Sequence, residues 1–414
     1  MKRQIFERFI KNGCLTLTHP SGKRETFGSG EPSAEVIIER EGVIRRLIVD
    51  PEMAFGEAYM DGDWRPGPGG LLAIFRLYFA NAESASATWL YRLIGTGIQH
   101  FREANSKLSA QHNIQKHYDI DSELFREFLD PDMQYSCGYF QHDDTSLADA
   151  QRAKCAHIGR KLCLSPGERV LDIGCGWGGL ALYLAETYDV EVVGLTLADD
   201  QFQMARERAE NEGVAGKVTF YKEDYRGLEG DAFDAVVSVG MFEHVGRPQY
   251  QTFFDQVRHL LKPGGRSLIH TIGRNGPPTP MNRNWITKYI FPGGYIPSLS
   301  EITPCIENAG LGTADIEVLR RHYARTLSCW NANFQDRRDV FADRLGERFC
   351  KMWEFYLQSC EAVFRWGDLV VFQIQLSREN DAVPVTRDYL YDDAAPRPYL
   401  AEAAMTPLEG GDPN

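Results

Sequence analysis

The stretch that decides the fold is VLDIGCGWGG, residues 170–179. Its first half is an apolar strand, and its second half is a glycine turn that leads into a helical stretch. Gly174, Gly176 and Gly179 stand in the register G-x-G-x-x-G. In this register small residues let the backbone approach a ligand closely, and the following helix offers unpaired N–H groups. The sequence therefore predicts a ligand-binding turn at the carboxyl end of a parallel strand.

Strands and helices alternate around this turn from about residue 165 onward. Strands are predicted in RVLDIG, VEVVGLTL, VTFYKED, FDAVVSVG and RSLIHTIG, and helices in GGLALYLAETY, DQFQMARERAENEG and QYQTFFDQVRHLLKPGG. This alternation is typical of a doubly wound, mostly parallel α/β sheet. A strand pair around IEVLRRHY and LVVFQIQLS completes the predicted sheet, and residues 325–362 are predicted to form a long helical segment.

A smaller α+β unit is predicted before this sheet. CLTLTHP and AEVIIERE alternate apolar and polar residues as strands do, around a turn-rich SGKRETFGSGEPS, and EGVIRRLIVDPEMAFGEAYMDGDW follows as a helix. Residues 71–101 are rich in aromatic residues and leucine, which fits either a lipid-facing amphipathic segment or a buried helical pair. We therefore predict an N-terminal domain over 1–100, a second domain over 101–398 and a disordered tail over 399–414.

Composition excludes several classes of protein. The 414 residues carry 45 Lys+Arg and 58 Asp+Glu, a net charge of −13, which argues against a nucleic-acid binder because phosphates need a basic surface. Residues 1–120 hold 15 basic and 14 acidic side chains, so only this part suits an anionic membrane surface. No stretch has the roughly 18–20 apolar residues of a transmembrane helix. Nine cysteines form no C-x-x-C pair, which favours a reduced, cytosolic protein without a structural metal.

The glycine turn alone fits a dinucleotide or another adenosine-containing ligand. A dinucleotide site needs an acid at the end of the second strand, about 20 residues further on, but Thr196 and Leu197 stand there. Asp172 lies just before the turn instead, and Asp224 ends the third strand, where it could accept an adenine amino group. The pattern favours S-adenosylmethionine as the ligand, with a nicotinamide oxidoreductase as the alternative.

Two further polar residues are expected at the same edge of the sheet. Glu243 follows the fourth strand, and His270 lies at the carboxyl end of the fifth, which ends in LIHTIG, so both are expected to face one pocket. Each also fits a structural role, as a helix cap or a satisfied partner. Cys137, in an aromatic-rich stretch, also fits a small apolar core residue, and we interpret His244 as structural.

Taken together, these segments resemble the cyclopropane-fatty-acyl-phospholipid synthase family, which includes the mycolic acid cyclopropane synthases. YSCGYF, LDIGCGWGG, GLTLxxxQ, MFEHVG, LIHTIG, YIFPGGYIPS and HYxRTL occur in family order between about residues 112 and 376, and GEAYMDGDW resembles the lipid-binding domain of longer bacterial members. The resemblance implies a Rossmann-like class I methyltransferase fold with S-adenosylmethionine and bicarbonate as cofactors. It further implies unsaturated chains of membrane phospholipids as substrate, and a peripheral enzyme on the inner face of the membrane that is commonly a homodimer.

The resemblance also implies the residues of the site. The positions that match the family's bicarbonate site are Cys137, Glu243, His270, Ile272 and Tyr323. The positions that match its methyl-donor site are Tyr135, Ser136, Asp172, Gly174, Gly176, Thr196, Leu197, Gln201, Asp224 and Tyr225. Because an ionised carboxylate cannot donate a hydrogen bond, we expect Glu243 to orient His270 or to relay a proton.

The implied chemistry sets requirements for the pocket and leaves the product open. An isolated alkene is a weak nucleophile, so the sulfonium methyl group must be held close and in line. Methyl transfer leaves a carbocation, which needs a dry pocket with aromatic faces; we expect aromatic residues around 135–140, 285–295 and 323–334 to supply them. Losing a proton from the new methyl group closes a cyclopropane, and losing one from the chain gives a methyl-branched alkene; a methylene product without ring closure is a further alternative. Ala324 stands where the family often has an acid, which predicts a looser anion site. A non-catalytic lipid-binding protein is a further alternative.

Overall fold

The computed structural model describes residues 2–82, 122–230, 233–279 and 284–391. The predicted boundary near residue 100, residues 83–101 of the aromatic-rich stretch and the predicted tail lie outside the described residues. Within the described ranges, no helix is both long and apolar enough to cross a membrane. All nine cysteines are free thiols.

The N-terminal unit is a small sheet with helices packed on it. Its strands are β1 (Gly13–Thr18), β2 (Arg24–Ser29), β3 (Ser33–Ile38) and β4 (Trp64–Pro66), and its helices are α1 (Lys2–Phe9), α2 (Val43–Val49), α3 (Pro51–Met60) and α4 (Gly70–Ala80). The strand order is β2-β1-β3-β4, in which β1 and β3 are parallel and the outer pairs are antiparallel. Alternating residues of β1 and β3 are buried, as the alternation of apolar residues predicts.

A seven-stranded sheet forms the centre of the larger unit. Its strands are β5 (Arg169–Ile173), β6 (Glu191–Thr196), β7 (Val218–Lys222), β8 (Phe233–Val239), β9 (Leu261–Arg274), β10 (Gly312–Leu319) and β11 (Leu369–Ser377). The order is β10-β11-β9-β8-β5-β6-β7; the five strands from β9 to β7 are parallel, and β11 is antiparallel to both of its neighbours. The predicted doubly wound α/β sheet of a class I methyltransferase fold is thereby confirmed.

Helices cover both faces of this sheet and continue beyond it. They are α5 (Ser122–Phe128), α6 (Leu147–Lys161), α7 (Gly179–Tyr188), α8 (Asp199–Asn211), α9 (Tyr250–Leu260), α10 (Trp285–Tyr289), α11 (Leu299–Asn308), α12 (His322–Asp336), α13 (Arg338–Leu345) and α14 (Glu347–Trp366). The strand order changes direction between β5 and β8, so the carboxyl ends of these strands border a crevice.

Four local predictions were wrong, each for a physical reason. The turn-rich stretch after β1 contains strand β2, which pairs antiparallel with β1 despite its polar residues. The single predicted helix after β3 is two helices, because Asp50 caps α3 and Pro51 begins it. The segment IEVLRRHY is strand only as far as Leu319, and its last two residues, His322 and Tyr323, begin α12. The long helical segment is divided into three helices, and Gly346, with φ of 85°, separates the last two.

The N-terminal unit packs on α14 and α10 of the larger unit. Phe355 of α14 lies with its ring centroid 5.9 Å from both Phe55 and Tyr59, and 4.7 Å from Trp285. Tyr59 donates a hydrogen bond to Glu354 at 2.8 Å. Aromatic pairs at these distances stabilise beyond the area they bury. The two units therefore share one apolar core.

Replacing Phe355 with alanine should lower the free energy of unfolding by about 3 kcal/mol, since it removes a buried aromatic side chain and leaves a cavity. Urea unfolding followed by circular dichroism would measure the loss. Val340→Ala, on the exposed side of α13, is the control, with an expected change below about 0.5 kcal/mol. Equal effects of both substitutions would show that the aromatic contacts do not stabilise the interface.

Candidate active site

The glycine turn after β5 bends against the end of β6. Gly174 N–H and Cys175 N–H both donate to the Leu195 carbonyl, at 2.9 and 2.8 Å. Gly174 and Gly176 have φ of 84° and 56°, a region that side-chain-bearing residues rarely adopt. A Cβ on Gly174 would lie 2.8 Å from Met241 Cβ, whereas one on Gly176 would meet no atom within 4 Å. The turn therefore leaves open space beside Gly176.

This space belongs to a cavity of about 150 Å³, which we call the glycine-turn cavity. It lies in the crevice at the carboxyl ends of β5, β6 and β8, where open α/β sheets bind ligands. Every residue predicted for the methyl donor lines it, namely Tyr135, Ser136, Asp172, Gly174, Gly176, Thr196, Leu197, Gln201, Asp224 and Tyr225. The structure brings these ten residues together, and their part in binding stays a prediction.

Asp172 presents a buried carboxylate to the glycine-turn cavity. The side chain is only 1% exposed, and its Oδ2 atom has no hydrogen-bond partner among the described residues. Burial raises the pKa of Asp172 to about 7, although the Lys154 ammonium opposes this shift. A buried polar atom without a partner is costly, so this oxygen is suited to a cation or hydroxyl group of a ligand.

Two other predicted contacts are engaged with protein partners. Thr196 Oγ1 donates to Gln201 Oε1 at 2.7 Å. The Asp224 carboxylate accepts the Arg226 backbone N–H at 3.0 Å and two guanidinium N–H groups at 2.9 and 2.6 Å. A carboxylate oxygen accepts more than one hydrogen bond, so an adenine amino group remains compatible with Asp224. Sequence reasoning missed Arg226, whose only signal is an acid two positions before it.

A second cavity of about 410 Å³, which we call the apolar cavity, adjoins the first. All five residues predicted for the anion site line it, namely Cys137, Glu243, His270, Ile272 and Tyr323. Tyr135, Ser136, Gly240 and His244 line both cavities. His244, interpreted from the sequence as structural, thus lies at the junction, and burial lowers its pKa to about 4.

Glu243 joins the end of β8 to β9. Its Oε1 atom accepts the Ile272 N–H at 2.6 Å, while its buried Oε2 atom has no partner among the described residues. Burial raises the pKa of Glu243 to about 7. The protonated and the ionised form of this carboxyl group are therefore both populated near neutral pH, and its Oε2 atom can accept or donate a proton. The Ile272 N–H is not available to an anion in this arrangement.

Within the described residues Gln373 bonds the His270 ring and no hydrogen bond joins Glu243 to it, so of the two roles expected for Glu243 only the proton relay stays a prediction. The antiparallel register of β9 and β11 places Gln373 directly opposite His270, and its Nε2 atom lies 3.1 Å from Nδ1. With the amide in this orientation Nδ1 accepts, and the proton of the neutral ring is on Nε2. Burial lowers the pKa of His270 well below its usual range, which keeps the ring neutral. His270 lies four positions before the last residue of β9, near the carboxyl end of the strand as predicted.

Tyr323, in the first turn of α12, is held by aromatic packing. Its ring centroid lies 4.8 Å from that of Phe364 and 5.8 Å from that of Trp330. Burial raises the pKa of Tyr323 well above its usual range, so its hydroxyl group is neutral and can donate a hydrogen bond. The neighbouring Ala324 is 1% exposed, and an acid there would be buried.

The aromatic lining was predicted only in part. Tyr135, Phe291, Tyr295 and Tyr323 line the apolar cavity, as expected from their segments. Trp285 and Trp330 do not line it, because the former packs on the N-terminal unit and the latter is fully buried in the core. Sequence reasoning missed the contribution of α14, which is Ser359, Cys360, Val363 and Phe364. The helical spacing of these residues signals a buried face but not what the face borders.

The residues that line the two cavities fall within a part of the chain that matches a known protein family. The family model described as mycolic acid cyclopropane synthetase matches residues 105–374. The chain belongs to this family. It is therefore an S-adenosylmethionine-dependent methyltransferase of the cyclopropane fatty acid synthase family. A second model, described as a domain of unknown function (DUF7884), matches residues 2–87.

Individual members of the family are similar over most of their length. The cyclopropane-fatty-acyl-phospholipid synthase of Escherichia coli K12 is 39% identical over 353 residues, which are 84% of this chain and 89% of that protein. The tuberculostearic acid methyltransferase UfaA1 of Mycobacterium tuberculosis is 35% identical over 91% of each chain. The crystal structure of the mycolic acid cyclopropane synthase CmaA1 complexed with SAH and CTAB has a TM-score of 0.60 and 33% identity, covering 64% of this chain and 98% of that one.

Proposed function

We propose that this protein transfers the methyl group of S-adenosylmethionine to a cis double bond in an acyl chain of a membrane phospholipid and closes a cyclopropane ring. The observation that carries the proposal is the junction of the two cavities at Tyr135, Ser136, Gly240 and His244. A donor in the glycine-turn cavity and an alkene in the apolar cavity would meet there. The name of the E. coli relative supports the choice of a phospholipid acyl chain.

The glycine-turn cavity suits the methyl donor. S-Adenosylmethionine carries an ammonium group and a sulfonium centre, and the partnerless Oδ2 atom of Asp172 offers a carboxylate oxygen for a cation. Open space beside Gly176 lets the ligand approach the backbone. The CmaA1 structure, which contains SAH, supports this choice of ligand.

The apolar cavity suits a reaction that forms a carbocation. The π electrons of the alkene form the new bond to the methyl carbon, and the carbon–sulfur bond breaks with its electron pair left on sulfur. The positive charge on the acyl chain then needs surroundings that exclude water and present aromatic faces. Tyr135, Phe291, Tyr323 and Phe364 border the cavity and can present such faces.

Removal of a proton completes the proposed reaction, since the C–H electron pair of the new methyl group closes the ring. Bicarbonate, when bound, would supply a small base inside a cavity that excludes water. The residues present fit such an anion, because the Nε2–H of His270 and the hydroxyl of Tyr323 are hydrogen-bond donors that line the cavity. Glu243 would accept the proton, given its pKa of about 7.

The location at the membrane and the homodimer rest on the family resemblance. We propose a cytoplasmic enzyme that contacts the inner face of the membrane peripherally, supported by the phospholipid substrate in the name of the E. coli relative. Tyr78 of α4 is 48% exposed, and an aromatic side chain of this kind suits the membrane interface. The homodimer stays a prediction.

A second candidate is the same methyl transfer without ring closure. It is favoured by the similarity to UfaA1, whose name is that of a tuberculostearic acid methyltransferase and which is 35% identical over 91% of this chain. The fate of the carbocation depends on which proton the base reaches. Isotope content distinguishes a methyl-branched product from a cyclopropane, and the ring protons distinguish a methylene product from a cyclopropane.

Donor labelled with a CD₃ group, together with vesicles of cis-monounsaturated phospholipid, tests the proposal. We expect released fatty acids that retain two deuterium atoms and show high-field ring protons by NMR. Two deuterium atoms without ring protons would indicate an exocyclic methylene, and three would indicate a methyl-branched product. Absence of label would contradict methyl transfer to this acceptor and favour the non-catalytic interpretation.

A further inference from the structure

Lys154 of α6 is a lysine whose side chain lies entirely inside the protein. It is 0% exposed, and its Nζ atom lies 2.6 Å from Gln134 Oε1, 2.8 Å from Ser136 Oγ and 2.9 Å from Gln151 Oε1. Lysine is almost never fully buried without a charged partner. All three atoms that bond Nζ here belong to uncharged side chains. This unusual placement calls for a role beyond packing.

The surrounding oxygen atoms accommodate an ammonium group at Nζ. The Gln151 amide donates through Nε2 to the carbonyls of Gln134 and Ser136, at 3.3 and 2.9 Å, which fixes its oxygen as the group that faces Nζ. Three oxygens around one nitrogen match the three donors of an ammonium group. Lys154 and Gln151 together thus hold the backbone and side chains of residues 134 and 136, both of which line the glycine-turn cavity.

Several titratable groups surround Lys154 and decide the net field at this place. They are Cys155 on the same helix, Asp130 and Cys137 from the preceding segment, Asp172 from β5 and the neutral His270 from β9. Burial raises the pKa of both thiols, which stay neutral. Burial lowers the pKa of Lys154, and the two carboxylates act in the opposite direction. Asp130 already accepts the backbone N–H groups of residues 132 and 134, whereas the Oδ2 atom of Asp172 has no partner in the part of the chain that the structure describes.

We propose that Lys154 is a positioning residue of the methyl-donor site, whose buried ammonium holds Gln134 and Ser136 at the glycine-turn cavity and favours the ionised form of the Asp172 carboxylate that receives the donor. The inference rests on the proposed placement of S-adenosylmethionine in that cavity. The positive charge of Lys154 predicts the direction in which the pH dependence of binding should shift when the charge is removed. Asp172 becomes ionised as the pH rises, so affinity for a cationic ligand rises with it, and removing a positive charge moves this rise to higher pH.

The test is isothermal titration of S-adenosylhomocysteine between pH 6 and 9. We expect the affinity of the natural protein to rise through a midpoint near pH 7, following Asp172. Lys154→Met should move the midpoint upward, since the Lys154 charge lowers the pKa of Asp172 and the variant removes that charge. It should also weaken binding about tenfold at pH 7. Lys154→Arg keeps the charge and should keep the midpoint.

Two further variants distinguish an error in the placement of the methyl donor from an error in the role of Lys154. Asp172→Asn should weaken binding and remove the pH dependence; unchanged binding in that variant would overturn the placement of the donor itself. Gln151→Met loosens residues 134 and 136 without removing a charge, so it should weaken binding but leave the midpoint near pH 7. If Lys154→Met also leaves the midpoint unchanged, the charge role of Lys154 is wrong.

Loss of folding is checked separately. Lys154→Gln is a polar variant that can still bond Ser136. If Lys154→Met does not fold, Lys154→Gln replaces it in the titration and should show the upward shift of the midpoint. Circular dichroism of each variant establishes that it is folded before titration. If both variants unfold, Lys154 is a structural residue and the inference is overturned.

Discussion

Glu243→Gln is expected to lower kcat for methyl transfer by about 10²–10⁴-fold, the range that a general acid or base contributes. The amide keeps the shape of the side chain but cannot accept a proton at the Oε2 position, which is buried and has no partner among the residues that the structure describes. Affinity for S-adenosylhomocysteine should stay within about twofold of the natural protein, because Glu243 lines only the apolar cavity. Both quantities can be measured with labelled donor and by calorimetry.

The pH profile gives this prediction a second readout. Because burial raises the pKa of Glu243 to about 7, the ionised form that accepts a proton increases from pH 6 to 8, and kcat should increase with it. Glu354→Gln is the matched control, since Glu354 lies on α14 outside both cavities, where it accepts a hydrogen bond from Tyr59. Near-normal turnover by Glu243→Gln, or equal losses in both variants, would contradict the assignment of the anion site.

Gly176→Val is expected to reduce affinity for S-adenosylhomocysteine at least 100-fold. The new side chain would project into the open space beside the turn, where no atom now lies within 4 Å, and so occupy the glycine-turn cavity. Calorimetric titration would measure the loss. A variant that bound the ligand with normal affinity would exclude this turn as the donor site.

Backbone strain must be separated from this steric effect. Gly213→Val is a suitable control, because Gly213 has φ of 74° with open space around it and lies after α8, outside both cavities. A valine costs conformational energy at both positions. Similar losses of stability with a loss of binding only at Gly176 would establish that the side chain blocks the ligand.

The sequence predicted those parts of the site that follow from local pattern and sheet topology. The glycine turn is marked by its spacing, and the ends of parallel strands meet at one edge, so Glu243 and His270 were expected in one pocket. The structure places both on the apolar cavity. Partners that depend on pairing between distant strands could not be predicted in this way. Gln373 reaches His270 only through the register of β9 and β11.

Buried charge was likewise beyond reach of the sequence. Lys154 and Lys161 lie in a helix with many polar residues, where the default expectation is a solvent-exposed lysine. The structure buries both, Lys154 against uncharged oxygens and Lys161 against Glu317 at 2.6 Å. Tertiary packing, which periodicity does not specify, determines which polar residue turns inward.

Helix α14 is shared between the domain interface and the apolar cavity. Its Phe355 contacts Phe55 and Tyr59 of the N-terminal unit, and one and two turns later Cys360 and Phe364 border the cavity. A fragment that began at residue 105 would lack the N-terminal unit, so Phe355 on α14 and Trp285 on α10 would be exposed to water. Both of these helices also line the apolar cavity. The N-terminal unit is therefore no detachable anchor: truncation should impair turnover even on detergent-dispersed lipid, where recruitment to a bilayer plays no part.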